Sequence, residues 1–218
     1  MNNKTKIIIV RHGQSLGNAT RTILGHTDLD LSEHGYKQAN STAIFLKNEQ
    51  IDLIYSSDLI RAFNTAVPHA KLRNMDIISS INLREIYVGE WEGMKIEDII
   101  SKWGREVYEN DWFGHFGTFR FPGGESIKEG GERFYKEVYK IAKDNQGKTI
   151  LITAHAAVIR AFWAIISDIP WEKVAEILPF ASNASFSVAF FENDTLLPDT
   201  YSYDEHLAEV GITKVKLV

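Results

Sequence analysis

The sequence predicts an α/β fold, a three-layer α/β/α sandwich around a mostly parallel central sheet. Short apolar runs rich in β-branched residues recur at residues 7–10, 51–55 and 148–153, and helical patterns alternate with them. Each of these runs ends in side chains suited to chemistry: Arg11-His12, then Ser56-Ser57-Asp58 leading to Arg61, then His155. Ligands of open α/β sheets gather at the carboxyl ends of the strands, so three such endings point to one edge.

The elements follow in order. Ile7-Ile8-Ile9-Val10 reads as a strand buried on both faces. Residues 15–31 are polar and too irregular for a buried element. Ser32 is a fair N-cap for a helix to about residue 47, with Tyr36, Ala39, Ala43, Phe45 and Leu46 on its apolar face. Residues 51–55 form the second strand. A helix follows with Leu59, Phe63, Ala66 and Val67 inward and Pro68 near its end. Residues 76–81 make a weaker third strand. Residues 125–143 are an amphipathic helix with Phe134, Val138 and Ile141 inward, and residues 148–153 the next strand. Residues 156–166 then read as helix and 184–191 as strand.

At 218 residues, one domain over 1–218 is expected, with a cap or insertion at about 94–124. A net charge of −5 argues against a nucleic-acid groove or a polybasic membrane patch, and requires any phosphate site to gather its cations locally. The chain has no cysteine, which removes disulfides, thiolate nucleophiles and cysteine-based zinc sites. The acidic residues show no clustered metal-ligand pattern, so neither metal nor cofactor is expected. The polar start, followed by an apolar run too short for a leader or a span, predicts a cytoplasmic protein.

Several stretches, in fixed order, carry a resemblance. They are Arg11-His12-Gly13-Gln14-Ser15 with Asn18; the glycine-bounded run from Gly25 to Gly35; Tyr55 to Ala66, containing Arg61; Leu83-Arg84-Glu85 running on to Gly93; Pro122-Gly123-Gly124-Glu125-Ser126; and the residues around His155 as far as Arg160. Together they resemble the histidine phosphatase superfamily, the group that includes the cofactor-dependent phosphoglycerate mutases. The resemblance implies a phosphoglycerate mutase-like fold and a site built on His12, Arg11, Arg61, His155 and Glu85, with Asn18 and Gly25 at the substrate. His12 would be the nucleophile, since a neutral imidazole attacks well near pH 7. Arg11 and Arg61 have the planar forks that suit phosphoryl oxygens. His155 would donate to an equatorial oxygen. Glu85 would protonate the leaving alkoxide and later activate water.

The chain departs from the family's pattern after the second histidine, where Ala156-Ala157 stands in place of the usual two glycines, or at least one, and would narrow any approach of backbone amides to phosphate. His26, His34, His69, His115 and His206 read as solvated or capping residues. Residues 103–121 hold seven aromatic side chains interrupted by Gly114 and Gly117, which fits either a lid over the site or a satellite cluster packing an insertion onto the core.

Glu85 is followed by the short acidic form Ile-Tyr-Val-Gly-Glu-Trp-Glu-Gly, with no arginine pair; Lys95, Lys102, Arg105 and Arg120 are scattered singly. The reading is therefore a metal-independent phosphomonoesterase acting on a small phosphorylated metabolite through a phosphohistidine. The alternatives are a 2,3-bisphosphoglycerate-dependent phosphoglycerate mutase and a catalytically weak phosphate-binding module. Oligomeric state stays open.

Overall fold

The computed structural model describes residues 4–214. The expected domain limits at 1 and 218, and the first three residues of the polar start, lie outside them. Strand β1 (Thr5–Arg11), β2 (Leu53–Ser57), β3 (Ile77–Ser80), β4 (Thr149–Ala154), β5 (Phe186–Glu192) and β6 (Thr195–Tyr203) form one sheet in the order β3-β2-β4-β1-β5-β6. β3, β2, β4 and β1 run parallel, with Ile9 opposite Ile152 and Tyr55 opposite Ile152; β5 and β6 complete the sheet antiparallel.

β1 is apolar at every position because both its faces are covered. Ile7 and Ile9 point toward helices α5 (Ile127–Asp144) and α6 (Ala156–Ile166), where Phe134, Val138 and Phe162 join the larger core. Ile8 and Val10 point to the other face, against Ala66 and Ala70 of α3 (Ile60–Arg73) and Leu46 at the end of α2 (Glu33–Phe45). The layers are thus helix, sheet, helix, as the sequence predicts, with α4 (Ile96–Trp103) in the segment between β3 and α5.

Several local expectations fail for physical reasons. The loop 15–31 contains a short helix, α1 (Leu16–Ala19), closed by a reciprocal capping box between Ser15 and Asn18. α2 buries Gly35, Gln38, Ala39, Thr42 and Ala43, while Tyr36 and Phe45 are 40% and 49% exposed. Small residues let this helix lie close to its neighbours; Tyr36 instead donates to Asp30, and Phe45 stacks on Tyr203 and His206. α3 continues through Pro68 to Arg73 and buries Ala62, Thr65, Ala66, His69 and Ala70 rather than Phe63 and Val67. Proline there forfeits one helical hydrogen bond, which the small-residue stripe outweighs. β6 has no sequence signal: it is an edge strand interrupted by Pro198, the place in a sheet where proline is tolerated.

The loop after β1 is held by a backbone crossing. A Cβ on Gly35 would lie 2.0 Å from the carbonyl oxygen of Gln14, and one on Gly13 would lie 2.4 Å from the carbonyl oxygen of Gly35. Backbone cannot yield as a flexible side chain does. Gly35→Ala is expected to cost about 1–3 kcal/mol, read as a lowered thermal midpoint, and to disturb the backbone beside His12. An unchanged midpoint would mean the crossing relaxes freely.

Candidate active site

The sheet order places β1 beside β4 and β4 beside β2, so their carboxyl ends deliver Arg11-His12, His155 and Ser57 side by side. The His12 amide donates to the carbonyl of Ala154 (2.9 Å), and the imidazoles of His12 and His155 lie 5.2 Å apart. Above them a pocket enclosing about 110 Å³ is lined by Arg11, His12, Asn18, Gly25, Arg61 and Glu85, among others. Six of the seven residues expected at the site therefore line one pocket. The seventh, His155, lies behind the lining and is wholly buried.

The His12 ring has a fixed orientation. Nδ1 donates to the carbonyl of its neighbour Gly13 (2.7 Å), which leaves Nε2 as the free lone pair. Burial and the positive charges of Arg61 and Arg11 hold its pKa well below the usual histidine range, so the ring is neutral at pH 7. His155 is held neutral by burial and by the charge of Arg61. Nε2 of His155 is hydrogen-bonded to Ser57 Oγ (2.8 Å), which also accepts from the amide of Leu59. The other ring nitrogen of His155, Nδ1, is buried and has no partner.

Arg11 and Arg61 are 2% and 1% exposed. Arg11 donates to the carbonyl of Ala181 (2.6 Å); Arg61 donates to those of Thr27 (2.9 Å) and Gly25 (2.7 Å). Burial lowers both pKa values to about 10, which leaves both groups charged at pH 7. Among the described residues neither makes an ion pair within 4.0 Å. Two buried guanidinium groups held by neutral carbonyls, with no carboxylate bonded to them, are a site waiting for an anion. Asn18 contributes beside them: its Oδ1 accepts from the amide of Ser15 and from Asn183, leaving its NH₂ for a ligand.

Glu85 is the one acidic residue in the pocket lining. Its carboxylate accepts from the amides of Ala157 (3.1 Å), Val158 (3.1 Å) and Ile86 (3.0 Å), closing the N-terminus of α6. The sequence suggests that Ala156-Ala157 would hinder amides reaching a phosphate. In the structure the amides of Ala157 and Val158 are taken by Glu85, and Ala156 and Ala157 both line the pocket. The carbonyl of Glu85 is fixed in turn by His26 Nε2 (2.8 Å) and by Arg133 (3.0 Å).

Sequence reasoning missed several supporting groups. His26 is neither free in solvent nor a cap, and Arg133 also binds the carbonyls of Asn82 and Arg84. Glu92 accepts from the amides of His26, Thr27 and Val88, and so shapes the loop that receives Arg61. Gly25 stands in that loop with φ +50°, and a Cβ there would meet Glu92 Oε1 at 2.1 Å. The Trp91-Glu92-Gly93 turn is the signal that could have found this clasp. In residues 103–121, Tyr108, Trp112, Phe116 and Phe121 pack around Trp91 or into the larger core, and Trp112 and Phe121 also reach the pocket.

The remaining histidines are mixed. His115 is exposed and bonded to the carbonyl of Asn110, and His34 lies near Gln38 and Gly211. His206 packs on Thr42, half-buried. His69 is wholly buried with neither ring nitrogen bonded, contrary to a solvated or capping role. Burial pushes its pKa down to about 3 and also lowers that of His206. His12, His69, His155 and His206 are therefore neutral when folded, yet protonate near pH 6.5 when unfolded. The unfolded state binds more protons, so stability is full above about pH 6.5 and falls as pH drops from there toward 3. His69 alone is expected to contribute a loss of about 2 kcal/mol between pH 7 and pH 5. Denaturant midpoints across that range should show the slope, and His69→Leu should flatten it. An equal slope in the variant would remove His69 from the account.

The chain matches the family described as histidine phosphatase superfamily (branch 1) over residues 7–202. It is 32% identical over 187 residues to phosphoserine phosphatase 1 of Hydrogenobacter thermophilus, covering 86% of this chain and 87% of that protein. It is 32% identical over 210 residues to the metal-independent phosphoserine phosphatase of Arabidopsis thaliana, covering 95% and 85%. Among solved structures, a mycobacterial glucosyl-3-phosphoglycerate phosphatase in complex with VO3 superposes with a TM-score of 0.84 at 26% identity, covering 91% of this chain and 99% of that one.

Proposed function

The chain belongs to branch 1 of the histidine phosphatase superfamily, and from that premise we propose that it hydrolyses a small phosphorylated metabolite through a phosphohistidine, without a metal ion. The observation that carries this reading is the His12 ring: neutral, its Nδ1 committed to Gly13, its Nε2 open to a pocket that holds two unpaired buried arginines.

In the first step Nε2 of His12 attacks phosphorus in line and the bond from phosphorus to the ester oxygen breaks. Glu85 passes a proton to the departing oxygen, and the alcohol leaves. Arg11, Arg61, His155 and Asn18 hold the transferring phosphoryl oxygens, the electrostatic contribution on which phosphoryl transfer chiefly depends. In the second step water attacks the phosphohistidine and gives its proton to Glu85. The phosphorus–nitrogen bond breaks, phosphate departs, and His12 returns neutral.

The arginines occupy the role a divalent cation has in other phosphoryl-transfer sites, and among the described residues no group of three or more His, Asp or Glu is placed to hold a metal. No described helix is long and apolar enough to cross a membrane, and a cytoplasmic metabolite is part of this reading. A phosphatase is favoured over a mutase because the pocket lining holds no cation beyond Arg11 and Arg61 to seat a second phosphate or an acid group. p-Nitrophenyl phosphate is expected to turn over undiminished in excess EDTA, with orthovanadate inhibiting competitively. Loss of activity on chelation, restored by a divalent ion, would overturn the metal-independent mechanism.

A further inference from the structure

The phosphoryl end of the pocket uses its polar groups, and what remains for the leaving alcohol is a choice between two compartments. One is an apolar wall made by Ile23, Ile86, Ala157, Trp112, Phe121 and Phe180. The other is an adjoining polar cavity of about 420 Å³, reached past Asn18 and Thr22, which holds Arg21 and Lys214.

Two observations favour the wall. Three cations line the polar cavity: Arg11 is shared with the phosphoryl end, and the other two already face acids, Arg21 with Glu97 (3.2 Å) and Lys214 with Asp204 (3.9 Å), so an incoming carboxylate would compete with an acid at each of those two. The wall, by contrast, is held rigidly. Arg160 of α6 is 3% exposed and makes no ion pair among the described residues. Its guanidinium lies 4.3 Å from the ring centroids of both Phe116 and Phe180, and donates to the carbonyls of Leu178, Val174 and Ala175. A buried cation thus ties the segment carrying Phe180 to the helix that follows His155, and Trp112 meets Phe180 edge-on. The methyl group of Ala157 extends the same surface where the family's usual glycine would leave a polar backbone bare.

We propose that the leaving group this site selects is an apolar, ring-bearing alcohol without a carboxylate, with Phe180 and Trp112 as specificity-determining residues and Arg160 as the residue that positions Phe180. This rests on the phosphatase reading above and adds the class of ester. It separates the chain from what its phosphoserine-hydrolysing relatives are named for.

The test compares esters that all release a primary alkoxide, so leaving-group basicity does not decide the outcome: 2-phenylethyl phosphate, glycerol 3-phosphate and phosphoserine. kcat/KM for 2-phenylethyl phosphate is expected to exceed the other two by about tenfold or more. Phe180→Ala should narrow that ratio mainly through KM, Phe180→Leu should retain most of it, and Arg160→Met should narrow it in the same direction. Thermal melts confirm that each variant is folded. Preference for phosphoserine would overturn the proposal and leave the phosphatase reading standing; loss of that preference in Arg21→Ala would then place the carboxylate in the polar cavity. Equal rates on all three esters would also overturn it. No turnover of any ester would overturn both.

Discussion

His12→Ala is expected to lower kcat on any phosphomonoester by about 10⁵-fold, the scale seen when a covalent nucleophile is removed from an otherwise intact site. The size follows from what the ring does. It alone supplies a lone pair facing phosphorus, and no cysteine exists to replace it. The arginines, His155 and Asn18 remain in the variant, so phosphate and vanadate should still bind. Folding should survive, because the one hydrogen bond His12 makes through its side chain is to the adjacent residue. Rapid quenching of the wild type with substrate, followed by intact-mass measurement, should show a single phosphoryl adduct, absent from the variant. Activity within tenfold of wild type, or an adduct that persists in the variant, would move the nucleophile elsewhere.

The parts of this site that were legible in the sequence are those fixed by local chain order. β1 is readable because a strand covered on both faces has to be apolar throughout, and His12 follows it directly. Arg61 and Glu85 are readable as members of an ordered set of motifs. The unreadable parts depend on distant segments meeting. Nothing near His155 announces that Ser57 will bond its ring, because that contact exists only once β2 lies beside β4. Asn183 reaches Asn18 across 165 residues, and Phe180 enters the pocket from a segment with no motif of its own. The helix faces teach a related lesson. Tyr36 and Phe45 look like core residues by size, yet α2 buries its small positions, because close packing of helices rewards short side chains over large ones. Nothing in the sequence around His155 tells what the amides of Ala157 and Val158 will bond. Their partner is Glu85, 72 residues earlier in the chain.

That pairing gives Glu85→Gln an effect on chemistry and an effect on structure that can be measured apart. A glutamine keeps one oxygen to accept backbone amides but turns an NH₂ toward another, so the N-terminus of α6 loses part of its cap. The expected cost is about 1–2 kcal/mol of stability, visible as a lower thermal midpoint and independent of substrate. The chemical effect depends on the ester. An alkyl phosphate needs a proton on its departing oxygen, and its hydrolysis should fall by about 10²–10⁴-fold. p-Nitrophenolate leaves without one, so phosphorylation of His12 by the aryl ester should survive in the variant. The phosphohistidine then waits for a water that glutamine cannot deprotonate. The aryl ester should accordingly give a burst of about one equivalent of nitrophenolate, followed by a slow steady state limited by dephosphorylation. A structural cap with no part in proton transfer would instead lower both esters by the same small factor and give no burst. The two readings of Glu85 therefore separate on a single stopped-flow trace.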